Sequence, residues 1–214
     1  QTPMPALVAD YLEQVRAFNA GGKVEQLPGS PALAAGLMRA QDQLCLFELH
    51  PTDHKILASY LGATPGVQVS LGDGFAGLKG VLPPPTRRGL LLMDPSYELK
   101  ADYAKVLTAF REALARFADG IVMVWIPQLQ LVEAAQLPQR LKASAAGVAK
   151  KGWLHAQLSV HGSSADGFGM RGSSVFVANP PHTLAEELRA CGAFLVQHLG
   201  QDAHAAWSLD AHQP

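Results

Sequence analysis

No apolar run in this 214-residue chain approaches the ~18 residues that a membrane-spanning helix requires. The first residues also lack the basic, apolar and small-residue order of a secretory leader, so a soluble, cytoplasmic protein is expected. Cysteine is scarce. Cys45 lies in LCLFEL and Cys191 in ELRACGAFL, too isolated for a disulfide framework or a zinc spacing, and both are expected to be reduced and buried. Charge of one sign is lacking too: 17 Lys and Arg against 18 Asp and Glu give a net charge of -1. A whole-chain field for nucleic acid is thereby excluded, leaving only local patches at Arg87-Arg88, Lys150-Lys151 and Arg171.

Several catalytic signatures are missing as well. There is no Gly-x-Ser-x-Gly elbow. The glycine-rich HGSSADGFGMRG stretch does not end in the Gly-Lys-Ser/Thr of a phosphate loop. His50 and His54 have a metal-like spacing in HPTDH, but Pro51 and Thr52 mark a strand-to-helix transition there, so no metal site is expected.

What the chain has is a regular alternation. Apolar runs at 44–50, 67–73, 88–94, 120–127, 153–160 and 173–180 read as strands, and stretches at 4–20, 31–41, 51–62, 100–118, 128–147 and 183–199 read as helices. This order predicts an α/β fold with helices on both faces of a mostly parallel sheet. The first four runs are nearly continuous in apolar residues, which predicts strands buried on both faces. The last two are joined by a Gly/Ser-rich loop too short for a crossover helix, which predicts a terminal antiparallel hairpin.

In such sheets ligands gather beyond the carboxyl ends of the strands. Three consecutive strands here end in an acid. Glu48 can accept from a vicinal diol, since a carboxylate has two acceptor oxygens; it can equally cap a helix. Asp73, in Gly72-Asp73-Gly74-Phe75, lies where backbone can approach a ligand closely, and the same four residues can be an ordinary turn. Phe75 fits either a stacking or a core role, and Trp125 either the border of a base pocket or the core.

The sharpest feature is Asp94-Pro95-Ser96-Tyr97 at the end of GLLLM. A nucleobase exocyclic amine is a poor nucleophile because its lone pair is delocalised into the ring. An acid oxygen and a backbone carbonyl accepting its two N–H bonds favour a tetrahedral nitrogen, and an aromatic ring can stack on a base that has left its helix. A plain proline turn leading into a helix accounts for the same four residues without chemistry.

The sequence LPGSP, then ELHP, GDGF, RRGLLLMDPSYE and VANPP, in this order, resembles the bacterial 23S rRNA adenine-N6 methyltransferases of the RlmJ type, over about residues 10–210. The resemblance implies a Rossmann-like, S-adenosylmethionine-dependent enzyme that methylates an unpaired or flipped adenine of 23S ribosomal RNA, adenine 2030, and works as a monomer. It implies that Asp94 and the Pro95 carbonyl accept from the amine and that Tyr97 stacks the base. Glu48 would hold the cofactor ribose, Asp73, Gly74 and Phe75 its adenine, and Ser30 its methionine end, with Asp94 beside the cofactor as well.

The family's first strand and basic N-terminal segment have no counterpart here. Residues 1–28 therefore correspond to the end of a helical insertion and a linker, and 29–214 to a partial methyltransferase domain. The opening Gln1-Thr2-Pro3 fits a processed chain or a piece of a longer one. Two other readings stay open: a DNA adenine methyltransferase, and a non-catalytic remnant of the fold that binds nucleic acid. The family usually has Asp-Pro-Pro-Tyr where this chain has Ser96. Because the Pro95 carbonyl is untouched, Ser96→Pro is expected to keep methyl-transfer activity within roughly tenfold, about 1.4 kcal/mol; complete loss in a methylation assay would refute this.

Overall fold

The computed structural model describes residues 3–19, 21–164, 167 and 169–213. The hairpin-loop residues Ala165, Asp166 and Phe168 lie outside the described residues. The chain forms two compact units, one of Val8–Val81 and the other from Leu82 onward together with the residues up to Leu7.

The first unit contains α1 (Ala6–Phe18, which begins in the other unit's segment), α2 (Ser30–Gly36), β1 (Leu44–Glu48), α3 (Pro51–Leu61), β2 (Val67–Leu71) and α4 (Gly74–Val81). β1 and β2 pair in parallel from Leu44↔Val67 to Glu48↔Leu71. Proline at the start of both α2 and α3 suits a first turn whose N–H groups need no intrahelical acceptor. Past α1, Asn19 holds the chain reversal: its amide donates to the carbonyls of Val15 and Gln26, both at 2.8 Å, and its oxygen accepts from the N–H groups of Glu25 and Gln26. α4 is absent from the sequence expectation because FAGLKGV carries glycine. Its Gly77 is required by packing, since a Cβ there would lie 2.5 Å from Phe47 Cε1.

The second unit contains β3 (Leu90–Met93), α5 (Lys100–Arg116), β4 (Ile121–Pro127), α6 (Val132–Ala145), β5 (Trp153–Ser159), β6 (Gly172–Ala178), α7 (Leu184–Leu199) and β7 (Ala206–His212). Its strands form one sheet in the order β3-β4-β6-β5-β7. β3 and β4 are parallel; β6 is antiparallel to both β4 and β5, and β7 is antiparallel to β5. α5 and α6 pack against one another, with α6 on β5 and β6, while α7 packs on β5 and β7.

On the α5 side the core is Val106, Phe110, Ala113 and Leu114 of α5 against Val122, Val124 and Phe176, with Leu137 and Leu141 of α6, all buried. Phe110 and Phe176 meet edge to face at 5.7 Å. The other face is built from Leu154, Ala156 and Val177 with Leu184, Leu188 and Trp207. The expected α/β, Rossmann-like class and the β5–β6 hairpin are therefore present.

Four expectations change. The sheet of this unit is not mostly parallel: only β3 and β4 pair that way, while β4–β6, β5–β6 and β5–β7 are antiparallel because β6 returns between β4 and β5. The sheet does not end at the hairpin, because β7 adds an edge strand. Its alternating polar and apolar residues, the pattern of an edge with one covered face, gave no continuous apolar signal. Of the four apolar strands expected to be buried on both faces, only β4 comes close; β1 and β2 are half-buried with exposed positions. For the same reason Cys45 is exposed while Cys191 is buried: within its unit, α4 covers Phe47 at the far end of the β1 face that Cys45 shares. Phe176→Ala is expected to destabilise the chain by about 3–5 kcal/mol, read from the urea midpoint, because it removes a fully buried ring and leaves a cavity beside Phe110.

Candidate active site

Asp94 follows β3 directly, so the pleat of a four-residue strand delivers its carboxyl to the end of the sheet. Asp94 as a residue is exposed, yet its carboxyl is crowded enough by surrounding protein that desolvation raises its pKa above the ordinary aspartate value. Pro95 is half-buried and Ser96 exposed.

Tyr97 is held from several directions. Its backbone takes φ +55°, in the left-handed region that aromatic residues seldom adopt. The parallel ladder ends with Met93 against Val124, and just beyond it the Tyr97 hydroxyl donates to the Trp125 carbonyl at 2.6 Å. The ring packs on Tyr103 at 4.8 Å and approaches Trp125 at 6.2 Å. Burial raises the phenol pKa far above its usual range, with the Asp94 charge adding to the effect. With 4% exposure, Tyr97 is a packed residue; a base stacking on it requires one ring face to be uncovered.

The groups in the Val8–Val81 unit have their own geometry. Glu48 and the loop after β2 are neighbours, since the Gly72 N–H donates to the Glu48 carbonyl at 3.0 Å. One Glu48 side-chain oxygen accepts from the His50 N–H at 2.7 Å, at the entry to α3. Asp73 Oδ1 accepts from the Phe75 N–H at 2.8 Å, and the Asp73 carbonyl accepts from Gly77, so Asp73 caps α4. The helix-capping and ligand readings of these acids are compatible, because each carboxylate keeps a second oxygen. Phe75 is half-buried and Gly74 lies against Phe47. Ser30 is exposed at the first position of α2.

His50 Nδ1 lies 3.7 Å from an Asp53 carboxylate oxygen, and among the described residues no group of three or more His, Cys, Asp or Glu converges. No helix among the described residues is long and apolar enough to cross a membrane. Of the expected basic patches, Lys150 is paired with Asp119 at 3.0 Å.

Two polar residues that sequence reasoning missed organise this unit. Asn179, 1% exposed and at φ +54°, donates to the carbonyls of Ala118 and Gly120 at 2.8 Å and accepts from the Lys151 N–H at 2.9 Å. Gln128 donates to the carbonyls of Leu158 and Ser173 at 2.8 and 3.0 Å and accepts from Ser159 Oγ at 2.7 Å. The VANPP motif signals Asn179; nothing local signals Gln128, whose partners are 30 to 45 residues away.

Tyr97→Phe is expected to cost about 1 kcal/mol in urea unfolding, since it removes the hydroxyl bond while keeping the ring.

Comparison with known proteins agrees with the motif order. The family described as "Ribosomal RNA large subunit methyltransferase D, RlmJ" matches residues 1–211. The chain is 36% identical over 211 residues to ribosomal RNA large subunit methyltransferase J of Haemophilus influenzae, covering 98% of this chain and 73% of that protein. It is 39% identical over 188 residues to the Escherichia coli protein of the same name, covering 88% of this chain and 65% of that one. A crystal structure of a Legionella pneumophila protein superposes with a TM-score of 0.86 at 28% identity, covering 97% of this chain and 75% of that one. A family match over nearly the whole chain, with relatives well above 30% identity, shows that this chain belongs to the RlmJ family of ribosomal RNA large subunit methyltransferases.

Proposed function

We propose that this chain transfers a methyl group from S-adenosylmethionine to the N6 amine of an unpaired or flipped adenine in 23S ribosomal RNA, in the cytoplasm, with adenine 2030 as the specific target. The observation that carries the reading is an acid at the end of β3 followed by Pro95 and by a tyrosine pinned through Trp125, in a member of this family. The proposed division of the chain has residues 1–28 as the end of a helical insertion with its linker and 29–214 as the methyltransferase domain.

S-adenosylmethionine supplies an activated methyl group on a sulfonium. Its donor and acceptor needs fit the Val8–Val81 unit: Glu48 has a carboxylate oxygen for ribose hydroxyls, Asp73 has one for an amino group, and Gly74 and Phe75 adjoin it. Ser30 at the start of α2 completes the set of cofactor contacts that the resemblance implies.

In the other unit, ionised Asp94 and the Pro95 carbonyl accept the two N–H bonds of the target amine. This frees the nitrogen lone pair from the ring and stabilises charge as it develops, by roughly 3 kcal/mol. Tyr97 meets the base through a ring face exposed when the base enters. Positioning does most of the remaining work, because the donor is already activated. The proton leaves the nitrogen after methyl transfer, with Asp94 as its nearest acceptor.

Asp94→Ala is expected to abolish methylation of deproteinised 23S rRNA while leaving cofactor affinity within about twofold, a difference of roughly 0.4 kcal/mol. Methylation of duplex DNA instead of rRNA would assign the chain to DNA, and retained activity in Asp94→Ala would remove the acid from the mechanism. Since the ionised form is required and the Asp94 pKa is raised, activity falls as pH drops through a limb above the ordinary aspartate value of about 4. The sign for stability is opposite: a native-state pKa above the unfolded one means that ionisation costs native stability. At neutral pH, Asp94→Asn is therefore expected to leave Tm unchanged or slightly raised.

A further inference from the structure

Beyond the groups that handle base and cofactor, the second unit carries an open polar cleft of about 680 Å³ lined by Ser159, His161, Ser163, Ser164, Arg171, Asp202 and His204. Strand directions put it at the same end of the sheet as Asp94. β4 ends at Pro127, opposite Ser173 of the antiparallel β6, and β5 ends at Ser159, opposite Gly172 and Ala206. From β3 the cleft is two to four strand spacings away, roughly 10–19 Å. That is too far to touch a base held at Asp94, and within reach of the nucleotides beside it.

The cleft is a built site. The Arg171 N–H donates to the Gln128 carbonyl at 3.1 Å, its carbonyl accepts from Val160 at 2.8 Å, and Val160 in turn accepts from Gln201 at 2.7 Å. Gln128, just past β4, clamps Leu158, Ser159 and Ser173 as described above, so the arginine backbone is fixed to the strand that carries Trp125. Among the described residues the guanidinium has one side-chain acceptor. Nη1 donates to Ser163 Oγ at 3.2 Å, while Nε is buried with no acceptor among the described residues. Arg171 as a residue is half-buried, so its terminal nitrogens, rather than the buried Nε, are the donors open to a further acceptor.

The one carboxylate in the lining does not provide it. Asp202 accepts from the Gly162 N–H at 2.9 Å and from the His204 N–H at 2.8 Å, which hold its pKa below the usual carboxylate range. The His204 ring lies on Gly162, where a Cβ would be 2.9 Å from its Cδ2. His161 Nδ1 is 2.7 Å from the Gly162 carbonyl, so on that side it bears the proton and donates. Serine hydroxyls, the His204 imidazole and the Arg171 guanidinium form a donor set for a tetrahedral anion.

We propose that this cleft binds an RNA backbone phosphate flanking the target adenine, with Arg171 as the principal ligand and His204 in support. The inference rests on the rRNA reading above. It also accounts for a near-neutral chain that handles RNA: a few placed donors act where no general positive field exists.

The test uses the full chain, a fluorescein-labelled single-stranded oligoribonucleotide with a central adenine, and anisotropy titrations across a salt series. Arg171→Gln is expected to weaken binding about three- to tenfold and to flatten the slope of log affinity against log salt by about 0.7, the effect of one phosphate contact on a single strand. Methylation of the same RNA is expected to show a raised KM with little change in kcat. Arg171→Lys should recover part of the affinity, and His204→Gln should weaken binding in the same direction. These two also decide the matter if Arg171→Gln does not fold. Unchanged affinity and salt slope in the folded variants overturn the proposal, as does inorganic phosphate binding that depends on Arg171 while RNA binding does not. If wild-type chain transfers no methyl group but Arg171→Gln still loses affinity and slope, methyl transfer fails and the phosphate site stands.

Discussion

The second unit depends on one constraint, the pairing of β4 with strands of opposite direction on its two sides. β3 runs parallel to it and β6 antiparallel. Hence the ends of β3, β4 and β5 and the starts of β6 and β7 all emerge on one side of the sheet. The Asp94 turn, Gln128, Arg171 and the His161 and His204 loops share that side because of strand direction alone. β4 is also deeply covered on one face, with Val122, Val124 and Ile126 at 2% exposure or less, so its register resists slippage.

Polar residues extend this register beyond the ladder. Tyr97 bonds to the Trp125 carbonyl just past the β3 pairing, and Gln128 bridges to β5 and β6 one residue after β4 ends. Each is a long-range bond made where the backbone ladder stops, and so each turns a strand end into a positioned group. Tyr97 adds a strained left-handed backbone, of order 1–3 kcal/mol, which persists because ring packing and the hydroxyl bond over-determine it. Strain kept beside a candidate catalytic acid is in keeping with a residue held for function rather than for stability.

Much of the fold was legible along the chain. The alternation of apolar runs and helical stretches located twelve of the fourteen elements to within a few residues, and α4 and β7 were the two passed over. Both departures have local causes: α4 is interrupted by glycines that Phe47 demands, and β7 has the weak alternating pattern of an edge. Burial was less legible. Cys45 sits in an apolar run and is exposed, since hydrophobic sequence does not say which length of a strand a helix will cover.

The sequence alone determined the candidate chemistry, because the acid, proline and tyrosine of the 94–97 turn are contiguous and further acids stand at the ends of β1 and β2, the two strands that precede it. Its motif order also pointed to the family that the comparisons then showed. Tertiary structure decided what contiguity could not. Tyr97 is packed against Tyr103 and Trp125, Gln128 ties three segments together, and Arg171 lines a cleft made by loops from distant parts of the chain. Those relations depend on antiparallel return of strands far apart in sequence, and no local pattern encodes which side chains such a return will bring together.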